Sequence, residues 1–232
     1  MRGDKQMKFF TVDKIRMLGI SGYLSYYEDE QSLNRAKEDF KSIGKDYDVV
    51  EKLNFIHYKS LMLKYLPDSL KNAVNDESII PFKIPSRNLS SEIDKWKLNV
   101  KNTWKETFRQ YKEHYKSIEK LLPQNVIELN NKYNFHDTKV LAARNLQGNI
   151  VEIDLQCSEG FMDEGLYTLI FNGVKLIEVS DDFIGSWWIY SEIHLSDVGK
   201  FQLNVLFDSE DCSVFNEMKI IADDVLVKSK KC

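Results

Sequence analysis

The side chains in this chain that could do chemistry are four histidines, several paired carboxylates and one tryptophan pair. His57, His114, His136 and His194 are far apart in sequence, and none stands at metal-ligand spacing from a cysteine, a second histidine or an acid. Neither a metal nor a cofactor is expected. His136-Asp137 is the most site-like pair, because an imidazole beside a carboxylate can act as base or ligand. The competing reading is a plain turn whose aspartate bonds nearby backbone. Acids also gather at Asp163-Glu164, Asp181-Asp182, Asp208-Ser209-Glu210-Asp211 and Asp223-Asp224. Brought to one rim they would form a negative patch for a basic protein, whereas their spacing does not match a calcium loop. Trp187-Trp188 matters for another reason: adjacent strand residues point to opposite faces, so one ring must leave the sheet core. That ring could cover a domain seam, anchor a partner or stack on a flat ligand. Gly19-Ile20-Ser21-Gly22 misses the nucleophile elbow because its serine is one residue too close to the second glycine, and no glycine loop matches a phosphate cradle. Arg2-Gly3-Asp4 matches an integrin-recognition tripeptide, which reads as chance in a chain with no secretion signal.

The elements that must carry these side chains differ between the two halves. Residues 9–11 read as a short extended lead-in, and Asp13 to Tyr27 is a weak helical pattern broken by Gly19 and Gly22. Leu33, Ala36, Phe40 and Ile43 recur at helical spacing, as do Val49, Leu53, Ile56, Leu63 and Leu66, so two helices should meet near Gly44-Lys45-Asp46. Pro67 and Asp68 suit the first turn of a short helix through Ala73, and Asn75 to Ser86, with Pro81 and Pro85, should be irregular. The strongest pattern predicts a helix from about Glu92 to Leu121, capped by Ser90 or Ser91. Its apolar stripe is Ile93, Trp96, Val100, Trp104, Phe108, Tyr111, Tyr115, Ile118 and Leu122, always three or four residues apart. A basic ridge of Lys97, Lys101, Lys105, Arg109, Lys112 and Lys116 flanks it. Such a stripe reads as core, and lysine stems cover apolar surface while their ammonium groups stay in water. Glu106, Glu113 and Glu119 dilute the field further, so nucleic acid is not the expected partner.

After Pro123 and a short helix near Val126 to Lys132, alternation replaces helical period. Val151, Ile153, Leu155 and Cys157 share one strand face, with Glu152, Asp154 and Gln156 on the other. Similar runs at Thr138–Arg144, Leu166–Phe171, Val174–Val179, Trp187–Leu195, Phe201–Phe207, Asn216–Ala222 and Val225–Lys228 bring the total to about eight strands. Asn172-Gly173 predicts a tight hairpin and Asp197-Val198-Gly199-Lys200 a further turn. The expected class is α+β: a helical domain over 1–132, then an antiparallel β-sandwich or barrel-like domain over 133–232. Missing crossover helices exclude a parallel nucleotide-binding sheet. Charge changes with the period, since Lys+Arg against Asp+Glu is 24 to 19 in the first domain and 8 to 17 in the second. Three widely spaced cysteines, Cys157, Cys212 and Cys232, fit a reducing compartment, and no apolar run is long enough for a membrane span. A cytoplasmic location follows as the default. Met7 is as good a start as Met1, so residues 1–6 read as a leader.

Met7-Lys8-Phe9-Phe10-Thr11, the helical region through Leu122-Pro123, Phe135-His136-Asp137 and Leu169-Ile170-Phe171-Asn172-Gly173-Val174 follow one another in an order that resembles a Firmicutes family of bacterial domains of unknown function. The resemblance would cover nearly everything from Met7 onward, and because that family has no established activity it carries no catalytic residue across. The His-Asp pair and terminal β segment are also similar to parts of immunity-type proteins of bacterial toxin systems, an analogy of fold alone. The expected role is a non-enzymatic interaction protein whose acidic β domain takes a basic partner at Asp208, Glu210 and Asp211. The rival is a small-molecule-binding protein or hydrolase with a site between the domains at His136 and Asp137, lined by Trp187 or Trp188. In a third possibility the two oppositely charged domains simply dock on each other.

Overall fold

Aspartate side chains start two of the helices in the first part of the chain. The computed structural model describes residues 7–81, 83–158, 163–179, 183–209 and 214–230. Arg2-Gly3-Asp4, Asp181-Asp182, Glu210, Asp211, Cys212 and Cys232 lie outside the described residues. Helix α2 (Glu30–Ser42) begins where Asp29 accepts the Ser32 amide at 2.7 Å, and α3 (Tyr47–Tyr65) where Asp46 accepts that of Val49 at 3.2 Å. Pro67 precedes α4 (Asp68–Asn75) as expected. The weak pattern ahead of α2 is a helix after all, α1 (Val12–Tyr23). Burial of Ile20 and Leu24 to 0% exposure outweighs the roughly 1 kcal/mol each glycine costs. The long helix α5 (Arg87–Ile118) starts a turn earlier than predicted, because the Leu89 amide is capped by the Ser86 hydroxyl at 3.3 Å. On α3 the helical spacing of Val49, Leu53 and Ile56 marks an exposed face, while Phe55, Met62 and, just beyond the helix, Leu66 are buried.

The chain divides into two compact units, Asp13–Glu106 on the one hand and Met1–Val12 with Thr107–Cys232 on the other. The first has its own core, including Phe55, Met62, Leu70, Ile79 and Ile80. The unbroken stripe on α5 serves two cores, since Ile93, Trp96 and Val100 belong to that one while Tyr115 and Ile118 belong to the core of the second unit.

In the second unit a 3-10 turn (Glu119–Leu121) and α6 (Gln124–Lys132) precede eight strands: β1 (Thr138–Leu146), β2 (Ile150–Cys157), β3 (Gly165–Asn172), β4 (Leu176–Val179), β5 (Trp187–His194), β6 (Phe201–Asp208), β7 (Phe215–Ala222) and β8 (Asp224–Lys230). They form one antiparallel sheet in the order β4-β7-β6-β5-β1-β2-β3-β8. Val151, Ile153, Leu155 and Cys157 form the buried face of β2, as alternation predicts. The joint between β1 and β5 is brief, with Thr138 opposite Trp188 and Lys139 opposite Trp187. The sheet turns over on itself. Phe171 of β3 and Phe201 of β6 lie four strand positions apart, about 19 Å in a flat sheet, yet their rings are 6.5 Å apart.

Asn172-Gly173 does not close the expected hairpin. β3 pairs with β2 and β8, and β4 pairs with β7. A turn dipeptide reports local dihedrals, not the identity of the next partner, and here the chain crosses between distant strands. Gly173 (φ +63°) is needed because a Cβ there would lie 2.4 Å from the Asp223 carboxylate. The tight hairpin joins β1 to β2 through Gln147-Gly148-Asn149, with both Gly148 and Asn149 at positive φ. Because every neighbour is antiparallel, β1, β3, β4 and β6 run one way and β2, β5, β7 and β8 the other, and the starts of β1 and β5 meet at their brief joint.

Candidate functional site

Strand β5 carries the candidate site, and the loop from Tyr133 to Asp137 holds its edge in place. The Asp137 amide donates to the Trp188 carbonyl at 2.8 Å, and the Phe135 carbonyl accepts both the amide and the buried hydroxyl of Thr138, at 3.1 and 2.8 Å. Asp137 takes φ +62°, which an aspartate tolerates better than most residues. These bonds fix His136, whose Nδ1 is 3.1 Å from an Asp137 carboxylate oxygen and whose ring meets Tyr190 edge-on at 5.3 Å. A bulge between Trp188 and Tyr190 interrupts the β5–β6 register at this place, a device that re-aims side chains.

A pocket of about 870 Å³ opens beside this strand, and every residue lining it belongs to the unit that holds the sheet. Its walls are aromatic. Phe108, Tyr111 and Tyr115 come from α5, Tyr133 and Phe135 from the loop before β1, Trp188 and Tyr190 from β5, and Phe10 from the segment before α1. The rings brace one another: Phe10 stacks on Tyr190 at 5.0 Å and meets Phe108 and Tyr111 at 5.1 and 5.2 Å. Trp188 is wedged between Phe135 and Phe207, each at 5.6 Å. The Tyr111 hydroxyl accepts the Ile193 amide at 3.0 Å, and burial raises its pKa far above the ordinary tyrosine value. Tyr115 is raised to about 12, also chiefly by burial. The phenols therefore stay neutral at physiological pH. Polar side chains at the pocket are Arg109, Lys112, Asn130, Asn134, His136 and Ser191, with no carboxylate among the lining residues. Arg109 is bound to Glu113 at 2.5 Å, whereas Lys112 is exposed.

Beside the pocket is a second polar cluster. Glu192 of β5 has 0% exposure and accepts the amides of Lys8, Phe9 and Phe10 at 2.9, 2.6 and 2.7 Å. His194 Nε2 approaches the same carboxylate at 3.1 Å, and the His194 ring lies 4.8 Å from that of His114. Sequence separation hid this meeting of two histidines. Among the described residues no group of three or more histidines, cysteines or acids could hold a metal ion.

Of the residues singled out from sequence, His136 and Trp188 line the pocket, and Asp137 stands exposed beside His136. Trp187 is half-buried on the opposite face, with the Lys139 ammonium 5.7 Å from its ring. Asp208 is opposite Trp187 at the end of β6 and does not line the pocket; Glu210 and Asp211 are outside the described residues. Sequence reasoning missed Phe10, Tyr111, Lys112, Tyr190 and Glu192. The available signal was the run of aromatics on α5 with cations one residue along, which a core reading absorbs. For Glu192 it was an acid two residues before His194, on one strand face. A family model described as a protein of unknown function (DUF4085) matches residues 9–218. No curated protein and no solved structure matches the chain.

Proposed function

The chain belongs to the DUF4085 family, and since that family brings no known activity, we propose from the pocket's geometry that it binds a small, flat, apolar molecule carrying an anionic group. One observation carries the reading: aromatic rings and two cations line the pocket without a single carboxylate, in a chain whose net charge is −4. The volume of about 870 Å³ suits a drug-sized ligand. Braced rings offer large contact area at little entropic cost and favour stacking on another ring. Lys112, and Arg109 behind its bond to Glu113, would attract the anion at the mouth.

The test uses 8-anilinonaphthalene-1-sulfonate and its neutral analogue N-phenyl-1-naphthylamine, titrated into protein whose near-UV circular dichroism confirms native packing. One equivalent of the sulfonate should bind, with the neutral analogue weaker by roughly tenfold, about 1.4 kcal/mol. Lys112→Ala should close that gap, and Phe108→Ala at the mouth should weaken both. Absence of saturable binding, or equal affinity for the two probes, overturns the reading.

A second reading, in which a basic protein docks on acidic strand ends, draws support from the sheet register. Asp137, Asp163 and Glu164 fall where β1 and β3, which run the same way, start, and Asp208 at the finish of β6 is opposite Trp187, itself opposite Lys139 at the start of β1. Asp223 and Asp224 lie at the connection from β7 to β8, bonded to Lys175 and Asn125 at 2.8 and 2.7 Å.

A further inference from the structure

Glu192 is an unusual residue for the middle of a sheet strand. A fully buried carboxylate loses its hydration, and an apolar side chain at such a site is often as stable or more so. The acid is satisfied here by groups outside the sheet: three consecutive amides of one segment converge on its two oxygens, and an imidazole completes the set. Each oxygen accepts two contacts, Phe9 and Phe10 on one, Lys8 and His194 on the other. Successive backbone N–H groups closing on one anion form a nest, an arrangement that neither an apolar residue nor an amide could satisfy in full. The segment so held contributes Phe10, 2% exposed, which stacks on Tyr190 and forms part of the pocket wall.

We infer that Glu192 is a positioning residue for the pocket: its carboxylate latches Lys8–Phe10 against β5 and thereby sets the wall that Phe10 presents to a ligand. The inference rests on the pocket being a binding site, but the latch itself can be read without any ligand. A chain held only by packing would place Phe10 loosely; three short charge-assisted bonds fix its backbone. A ligand then meets a wall already in place and loses less freedom on binding.

Amide hydrogen exchange tests the latch, and the naphthalene sulfonate tests its effect on the pocket. In the unmodified protein the amides of Lys8, Phe9 and Phe10 should exchange as slowly as those of β5 and β6; fast exchange there overturns the latch and needs no variant. Glu192→Gln, which cannot accept all three amides, should speed their exchange by roughly tenfold or more while β6 and β7 stay protected. It should also weaken sulfonate binding by a similar factor. Phe10→Ala keeps the backbone donors, so it should retain protection at Lys8 and Phe9 yet weaken the probe. Freed amides with unchanged probe affinity in both variants would overturn the positioning role and leave the pocket reading standing. An unmodified protein that binds no probe, with Lys8–Phe10 protected, sinks the pocket reading and the positioning role together.

Discussion

At the scale of single residues, the cluster around Glu192 makes stability depend on pH in a direction that can be worked out. Glu192 is held below the usual carboxylate value even though burial acts to raise it, because bonds from His194 and the amides of Phe10, Lys8 and Phe9 outweigh burial. His114 is pushed below the ordinary histidine value by burial first and by the nearby His194 second, and its Nε2 is buried with no hydrogen-bond partner among the described residues. The groups facing the Glu192 carboxylate are His194 on its own strand, Lys8 on the latched segment, and Tyr111 and His114 on α5. Both shifts are downward, so in each case the unfolded chain takes up a proton before the folded one does. Stability is then present in full above the unfolded value and drains away as pH falls, first for His114 below about 6.5 and then for Glu192 below about 4.5. The urea midpoint should decline between pH 7 and 5.5, and His114→Phe should flatten that decline while leaving the steeper loss at lower pH. A wild-type midpoint constant over that interval would rule out the downward shift of His114. Little of this was legible in sequence. His136 and Trp188 could be picked out because a His-Asp dipeptide and a Trp pair are local features, whereas Glu192 meets residues 182 to 184 positions away. No local pattern encodes such a meeting.

At the scale of elements, local chemistry gave the strands and most helices, and long-range pairing gave what local chemistry could not. All eight strands were visible because alternation is a property of each strand alone. Gly173 shows where that stops. Its positive φ was legible as a turn, but the turn steers β3 and β4 past the β7–β8 connection instead of pairing them: the Asp223 amide bonds the Asn172 carbonyl at 3.0 Å and the Lys175 amide bonds that of Ile221 at 2.8 Å. The long stripe on α5 is a parallel case, because one uninterrupted helical period served two separate cores and so disguised the change at Thr107. The crossing at Gly173 yields a graded expectation. Gly148 has open space around its missing Cβ, so Gly148→Ala should cost only the left-handed backbone penalty, about 1 kcal/mol. Gly173→Ala adds a collision with Cβ and Cγ of Asp223, not merely with a movable tip, and should cost ~1–3 kcal/mol more. Urea denaturation of the two variants decides it, and equal losses would mean that Asp223 steps aside at no cost and the crossing is loose.

At the scale of the whole molecule, the uneven distribution of charge bears on partners more than on fold. No helix among the described residues is long and apolar enough to cross a membrane. Some acids of the β region are consumed in holding the sheet together: Asp223 by Lys175, Asp224 by Asn125, and Asp154 by Arg144 and Thr168 at 2.6 and 2.7 Å. Asp163 and Glu164 are different, being exposed and placed, like Asp137, at the end where β1 and β3 start. If that end attracts a basic partner, the attraction is between solvated charges and must fade once the Debye length shrinks from about 30 Å at 0.01 M salt to about 8 Å at 0.15 M. A lysine decapeptide should therefore bind at the lower salt and lose most of its affinity at the higher. Asp163→Lys/Glu164→Lys should weaken it several-fold at low salt without touching naphthalene sulfonate binding, because neither acid lines the pocket. If the double variant binds the peptide as the parent does, the acidic strand ends are ordinary solvated turns.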